Sequence, residues 1–94
     1  GLKYTDGIKY LAEKAEAYWL IDVVGSYQYL PEVKATEPQF WQLDIAENKS
    51  AVVTMVADSG CKPVVRQEIE FSDFPLSSIK IWVCDGVLML PSEY

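Results

Sequence analysis

The chain has 94 residues, half of them apolar and 23% charged, with fourteen acids against eight bases for a formal charge of −6. That composition fits one small globular domain with a core of its own. It excludes a disordered chain, which goes with low hydrophobicity and high net charge. It also excludes a membrane-spanning helix, because the longest apolar runs, residues 17–21 and 86–91, fall far short of the roughly 20 residues a span needs.

The eight cations are scattered from Lys3 to Lys80 and include one arginine, Arg66. Phosphate-binding surfaces cluster their cations, so direct nucleic-acid binding is disfavoured. An acidic decoy for a nucleic-acid-binding protein stays open beside the plainer reading, that the charge serves solubility. Two cysteines, Cys61 and Cys84, and no histidine point to reduced thiols in a cytoplasmic protein and are too few for a zinc site. No cofactor or metal is expected. The first residues, Gly-Leu-Lys-Tyr-Thr-Asp, contain no signal-peptide pattern, and the missing initiator Met suggests a processed chain or a fragment.

The first third of the chain has helical periodicity. Thr5-Asp6 offers side-chain acceptors for a helix N-cap, and Ile8, Leu11, Ala12, Ala15 and Trp19 follow at helical spacing. A second stripe, Leu20, Val23, Val24, Tyr27 and Leu30, is rotated by roughly 100° from the first. Two helices, or one bent near Glu16-Ala17, explain that shift more simply than one straight helix. The helix should end before Pro31, and residues 32–38 read as a connector.

From Trp41 the period changes to two. Trp41, Leu43 and Ile45 alternate with Gln42 and Asp44, and residues 47–50 form a turn. Residues 51–57 are apolar on both faces, as in an interior strand. A turn at Asp58-Ser59-Gly60 leads to Val65, Gln67, Ile69 and Phe71, alternating with Arg66, Glu68 and Glu70. After a longer connection over residues 72–76, Ile79, Ile81 and Val83 alternate with Lys80, Trp82 and Cys84. Asp85-Gly86 is a two-residue hairpin signal, and residues 87–90 return. The expected fold is α+β, with two helical segments on one face of a roughly five-stranded antiparallel meander. Trp41, Leu43, Ile45, Ile69, Phe71, Ile79, Ile81 and Val83 would face the helices.

Several blocks together resemble a bacterial family of small domains of unknown function. They are Tyr4-Thr5-Asp6-Gly7, Lys9-Tyr10-Leu11-Ala12, Ala17-Tyr18-Trp19-Leu20-Ile21-Asp22, Phe40-Trp41-Gln42-Leu43, Glu70-Phe71-Ser72-Asp73-Phe74-Pro75-Leu76 and Leu90-Pro91-Ser92-Glu93-Tyr94. The resemblance covers nearly the whole chain and implies a bacterial, cytoplasmic origin, but no reaction, ligand or catalytic residue. Members of that family carry a short extra segment before the Thr-Asp-Gly block, which implies that this chain is a fragment.

Without histidine the commonest general base is missing, and no glycine-rich phosphate loop occurs. Four candidate features remain. Asp22 is buried beside Trp19 if the helix is straight, and solvated if it breaks near Glu16. Glu68 and Glu70 share a strand face, as a carboxylate pair or as a solvated face partly neutralised by Arg66. Cys84 lies beside the hairpin, near Lys80, with no evident base. Phe40 and Trp82 point away from the helices and either anchor an interface or cover each other.

The expected function is a non-enzymatic protein-binding module, a homodimer or a partner of another protein, using the open sheet face or edge. The alternatives are an acidic inhibitor or nucleic-acid mimic, favoured by a continuous band of Asp44, Glu68 and Glu70, and a small enzyme holding Asp22 or Cys84 in a cleft.

Overall fold

A computed structural model describes residues 3–57, 62–72 and 77–93. The expected turn at 58–60, Cys61 and most of the 72–76 connection lie outside them. In chain order the elements are β1 (Lys3–Tyr4), α1 (Asp6–Lys14), α2 (Tyr18–Ser26), α3 (Pro31–Lys34), β2 (Gln39–Ile45), β3 (Ala51–Val56), β4 (Val65–Ile69), β5 (Ser78–Cys84) and β6 (Val87–Met89), then a 3-10 turn at Pro91–Glu93.

The break between the two helical stripes has a specific geometry. Thr5 caps α1, its hydroxyl accepting the Ile8 N–H at 3.3 Å. At the other end Glu16 takes a left-handed φ of 51°. The Ala17 N–H then reaches back to the Ala12 carbonyl at 2.9 Å, the six-to-one bond of a Schellman motif. Ala12 and Ala17 are both buried there. The chain restarts as α2 on a new phase, with Leu20 and Val24 in the core. Within the expected connector lies one further helical turn, α3, started by Pro31 and anchored by buried Val33.

The sheet has six strands in the order β1-β6-β5-β2-β3-β4. The expected five-stranded meander is corrected in two ways. First, β1 adds a parallel strand beside β6, pairing Lys3 with Val87 and Tyr4 with Leu88, so the sheet is mixed. Second, β5 does not follow β4 in space: it pairs with β2, with Trp41 opposite Ile81. β2 is therefore flanked by β3 and β5, and β4 is left at an edge. The Asp85-Gly86 hairpin forms as its dipeptide implies, with φ of 51° and 76° at the two turn positions.

The helices cover one face of this sheet. Its core gathers Ile8, Leu20, Val24 and Val33 from the helices with Trp41, Leu43, Val53, Met55, Val83 and Leu88 from the strands. Phe71 is a further correction. Its strand stops at Ile69, and the Phe71 side chain is 69% exposed rather than in the core.

Candidate functional site

The strand registers fix what the uncovered face displays. Across β6, β5, β2 and β3 one row reads Met89, Trp82, Phe40, Val56. The next, across β5, β2, β3 and β4, reads Lys80, Gln42, Thr54, Arg66. The third reads Ser78, Asp44, Val52, Glu68. An apolar row thus lies beside a row with a cation at each end, followed by a row carrying two acids.

Phe40 and Trp82 are directly opposed on β2 and β5, with ring centroids 5.1 Å apart and planes at 82°. That edge-to-face arrangement suits the ring quadrupoles. The pair remains half-buried and lines an open depression of about 400 Å³ with Gln42, Thr54, Val56 and Lys80. Lys80 is exposed, and among the described residues it enters no ion pair. The depression therefore offers aromatic walls and one unmatched ammonium, the mixture by which concave sites orient a ligand.

The covered face is chemically different. Gln39 is 4% exposed, and its carboxamide is fully engaged. It exchanges hydrogen bonds with Gln28 at 2.8 and 3.0 Å, donates to the Val33 carbonyl at 3.2 Å and accepts from the Trp41 indole at 2.9 Å. Tyr27 stacks obliquely on Trp41 at 5.9 Å and donates to Gln67 at 2.7 Å. This network ties α2 and α3 to β2 and β4. Sequence reasoning missed it, although Gln39 shares its strand phase with Trp41 and Leu43.

The other sequence candidates do not join the aromatic pair. Glu68 is exposed on β4 and bonded to Arg66 at 3.1 Å, while Glu70 lies past the end of the strand. Both line a second shallow depression beside Ser50 and Val52. Asp44 accepts two bonds from Gln42, at 2.8 and 3.1 Å. Val52 separates Asp44 from Glu68, and the adjoining row has a cation at each end, so the acids form no continuous band. Asp22 is exposed on α2, on the helical side of the sheet, as the broken helix implies. Cys84 shares the uncovered face, but its thiol is pushed up, first by burial and then by the charges of Glu37 and Asp85. That direction opposes a resting thiolate nucleophile. Among the described residues no three Cys, Asp or Glu side chains come together as metal ligands, and no helix is long and apolar enough to cross a membrane.

The two ends of the chain meet in a clasp. The Glu93 carboxylate accepts the Thr5 hydroxyl at 2.6 Å, the Leu90 N–H at 2.9 Å and the Gly7 N–H at 3.3 Å. These bonds hold its pKa below the ordinary glutamate range, the Thr5 hydroxyl contributing most. A Cβ on Gly7 would stand 2.6 Å from that carboxylate, so the glycine makes room for the acid. An anion at the start of α1 also suits the helix dipole. The Thr-Asp-Gly block and the closing Leu-Pro-Ser-Glu block are thus two halves of one contact. The chain belongs to the family of unknown function DUF6876. The family profile matches residues 1–94. No curated protein and no solved structure matches the chain. In this chain the clasp accounts structurally for two sequence blocks that carry no evident chemistry.

Proposed function

We propose that this chain is a non-enzymatic interaction module whose uncovered sheet face docks a segment of another protein. The segment presents an aromatic or aliphatic side chain next to a carboxylate. The observation that carries this reading is the half-buried Phe40–Trp82 pair sharing one depression with the unmatched Lys80. The aromatic walls take the apolar side chain, and the ammonium favours a neighbouring carboxylate over a cation. An acidic nucleic-acid mimic gains no support, because Asp44 and Glu68 are interleaved with Arg66 and Lys80. An enzyme built on Asp22 or Cys84 gains none either: neither side chain lines the two depressions, and the Cys84 thiol is shifted the wrong way.

A ¹H–¹⁵N NMR titration with 3-phenylpropionate tests the reading, with 3-phenylpropylamine as the charge-reversed control. The carboxylate should shift the amides of Phe40, Gln42, Lys80 and Trp82, and the amine should shift them less. Equal responses to the two probes, or shifts confined to the helical side, contradict the proposal.

A further inference from the structure

The outer edge of β4 presents a self-complementary pattern. The backbone phase of the sheet shows which groups face outward there. The Ala46 N–H donates to the Ser50 carbonyl at 2.8 Å. Hydrogen-bonded pairs in an antiparallel ladder recur at every second residue. Val52, Thr54 and Val56 therefore direct their backbone groups to β2, and Ala51, Val53 and Met55 direct theirs to β4. Through the β3–β4 register, Val65, Gln67 and Ile69 spend theirs on β3. Arg66 and Glu68 turn their N–H and C=O groups away from the sheet, and among the described residues no strand lies beyond them. The opposite edge, β1, is only two residues long.

We infer that β4 pairs antiparallel with β4 of a second copy of this chain, about a two-fold axis at Gln67. This register sets Arg66 of each copy opposite Glu68 of the other. The outward backbone groups of those residues then close four hydrogen bonds between the copies. Opposite charges directly across a strand pair stabilise it, and like charges destabilise it. A slip of two residues in one direction puts Arg66 opposite Arg66, and in the other Glu68 opposite Glu68. A slip of one residue sets outward groups against inward ones and turns core-facing side chains to the wrong face. The charges that keep an edge strand from indiscriminate pairing here select one register.

One further observation agrees. Arg66 and Glu68, already 3.1 Å apart, become half of a four-charge cluster. The pairing makes one continuous sheet with an isologous interface. It sets both Phe40–Trp82 depressions on the same side of that sheet. A single five-residue strand pair is small for an interface, so the dimer forms reversibly in the micromolar range. The inference rests on the order of charges and backbone phase in β4, independently of the docking reading.

Sedimentation velocity across the micromolar range tests it with a charge-swap cycle. The wild-type chain should dimerise as concentration rises. Arg66→Glu alone and Glu68→Arg alone should each shift the midpoint at least tenfold towards monomer, and the double swap should restore it. Trp82→Ala should leave the midpoint unchanged, which separates this surface from the docking depression. Amide exchange at Arg66 and Glu68 should slow with concentration in the wild type. A wild-type chain that stays monomeric, single swaps without effect, or a double swap that fails to rescue would overturn the inference.

Discussion

Phe40 and Trp41 follow one another in the chain and belong to opposite faces of the sheet. Trp41 is 2% exposed, with its indole N–H given to Gln39 and its ring against Tyr27. Phe40 is half-buried, and its aromatic partner is Trp82 across the strand. On the covered face the polar groups of Gln28 and Gln39 answer one another. On the uncovered face Lys80 has no anionic partner among the described residues. The contrast separates aromatic residues buried in the core from aromatic residues that line an open depression.

Substitutions break this comparison if the two faces respond alike. The largest loss is expected for Trp41→Ala, about 3–5 kcal/mol of unfolding free energy, enough to leave a domain of this size largely unfolded. Urea denaturation followed by circular dichroism reads it. Gln39→Leu follows, at about 1–3 kcal/mol, because it leaves the Trp41 indole, the Gln28 carboxamide and the Val33 carbonyl short of a partner. Trp82→Ala on the uncovered face should cost less, about 2 kcal/mol, the edge-to-face pair together with the half of the side chain that is covered. If Trp82→Ala costs as much as Trp41→Ala, the uncovered face is part of the core and the distinction fails.

The terminal clasp belongs to neither face and sharpens the comparison by its pH dependence. The Glu93 carboxyl is depressed in the folded chain, so its contribution is present above the ordinary glutamate pKa. That contribution is lost as pH falls through the lower, folded value. Wild type should therefore exceed Glu93→Gln in stability at neutral pH, and the gap should close on acidification. A gap that stays constant from neutral to acid pH would show that the carboxylate charge contributes nothing at the start of α1.

Local patterns in the sequence carried much of the helical layer and part of the sheet. The phase shift between the Leu11 and Leu20 stripes marks a break that the left-handed Glu16 completes. Asp85-Gly86 announces its turn because both positions need positive φ. The two-residue β1 has no period to read, and the place of β5 beside β2 depends on packing between distant segments. Phe71 continues an alternation whose strand has already ended at Ile69. The pairing of Phe40 with Trp82 was legible as a shared face, but its register with Lys80 was not. Gln39 drew no attention, because a buried carboxamide is recognisable only once Gln28, Val33 and Trp41 are seen to answer it. Glu93 gave no local signal either, since its partners lie at the other end of the chain.

The central claim is that the uncovered face is a recognition surface with a preference set by Lys80. Lys80→Glu tests it most directly, in the same NMR titration with the two phenyl probes. The variant should keep the stability of the wild type and exchange its preference, binding 3-phenylpropylamine better than 3-phenylpropionate at the Phe40–Trp82 depression. An unchanged preference, or no binding of either probe to either protein, would contradict the account.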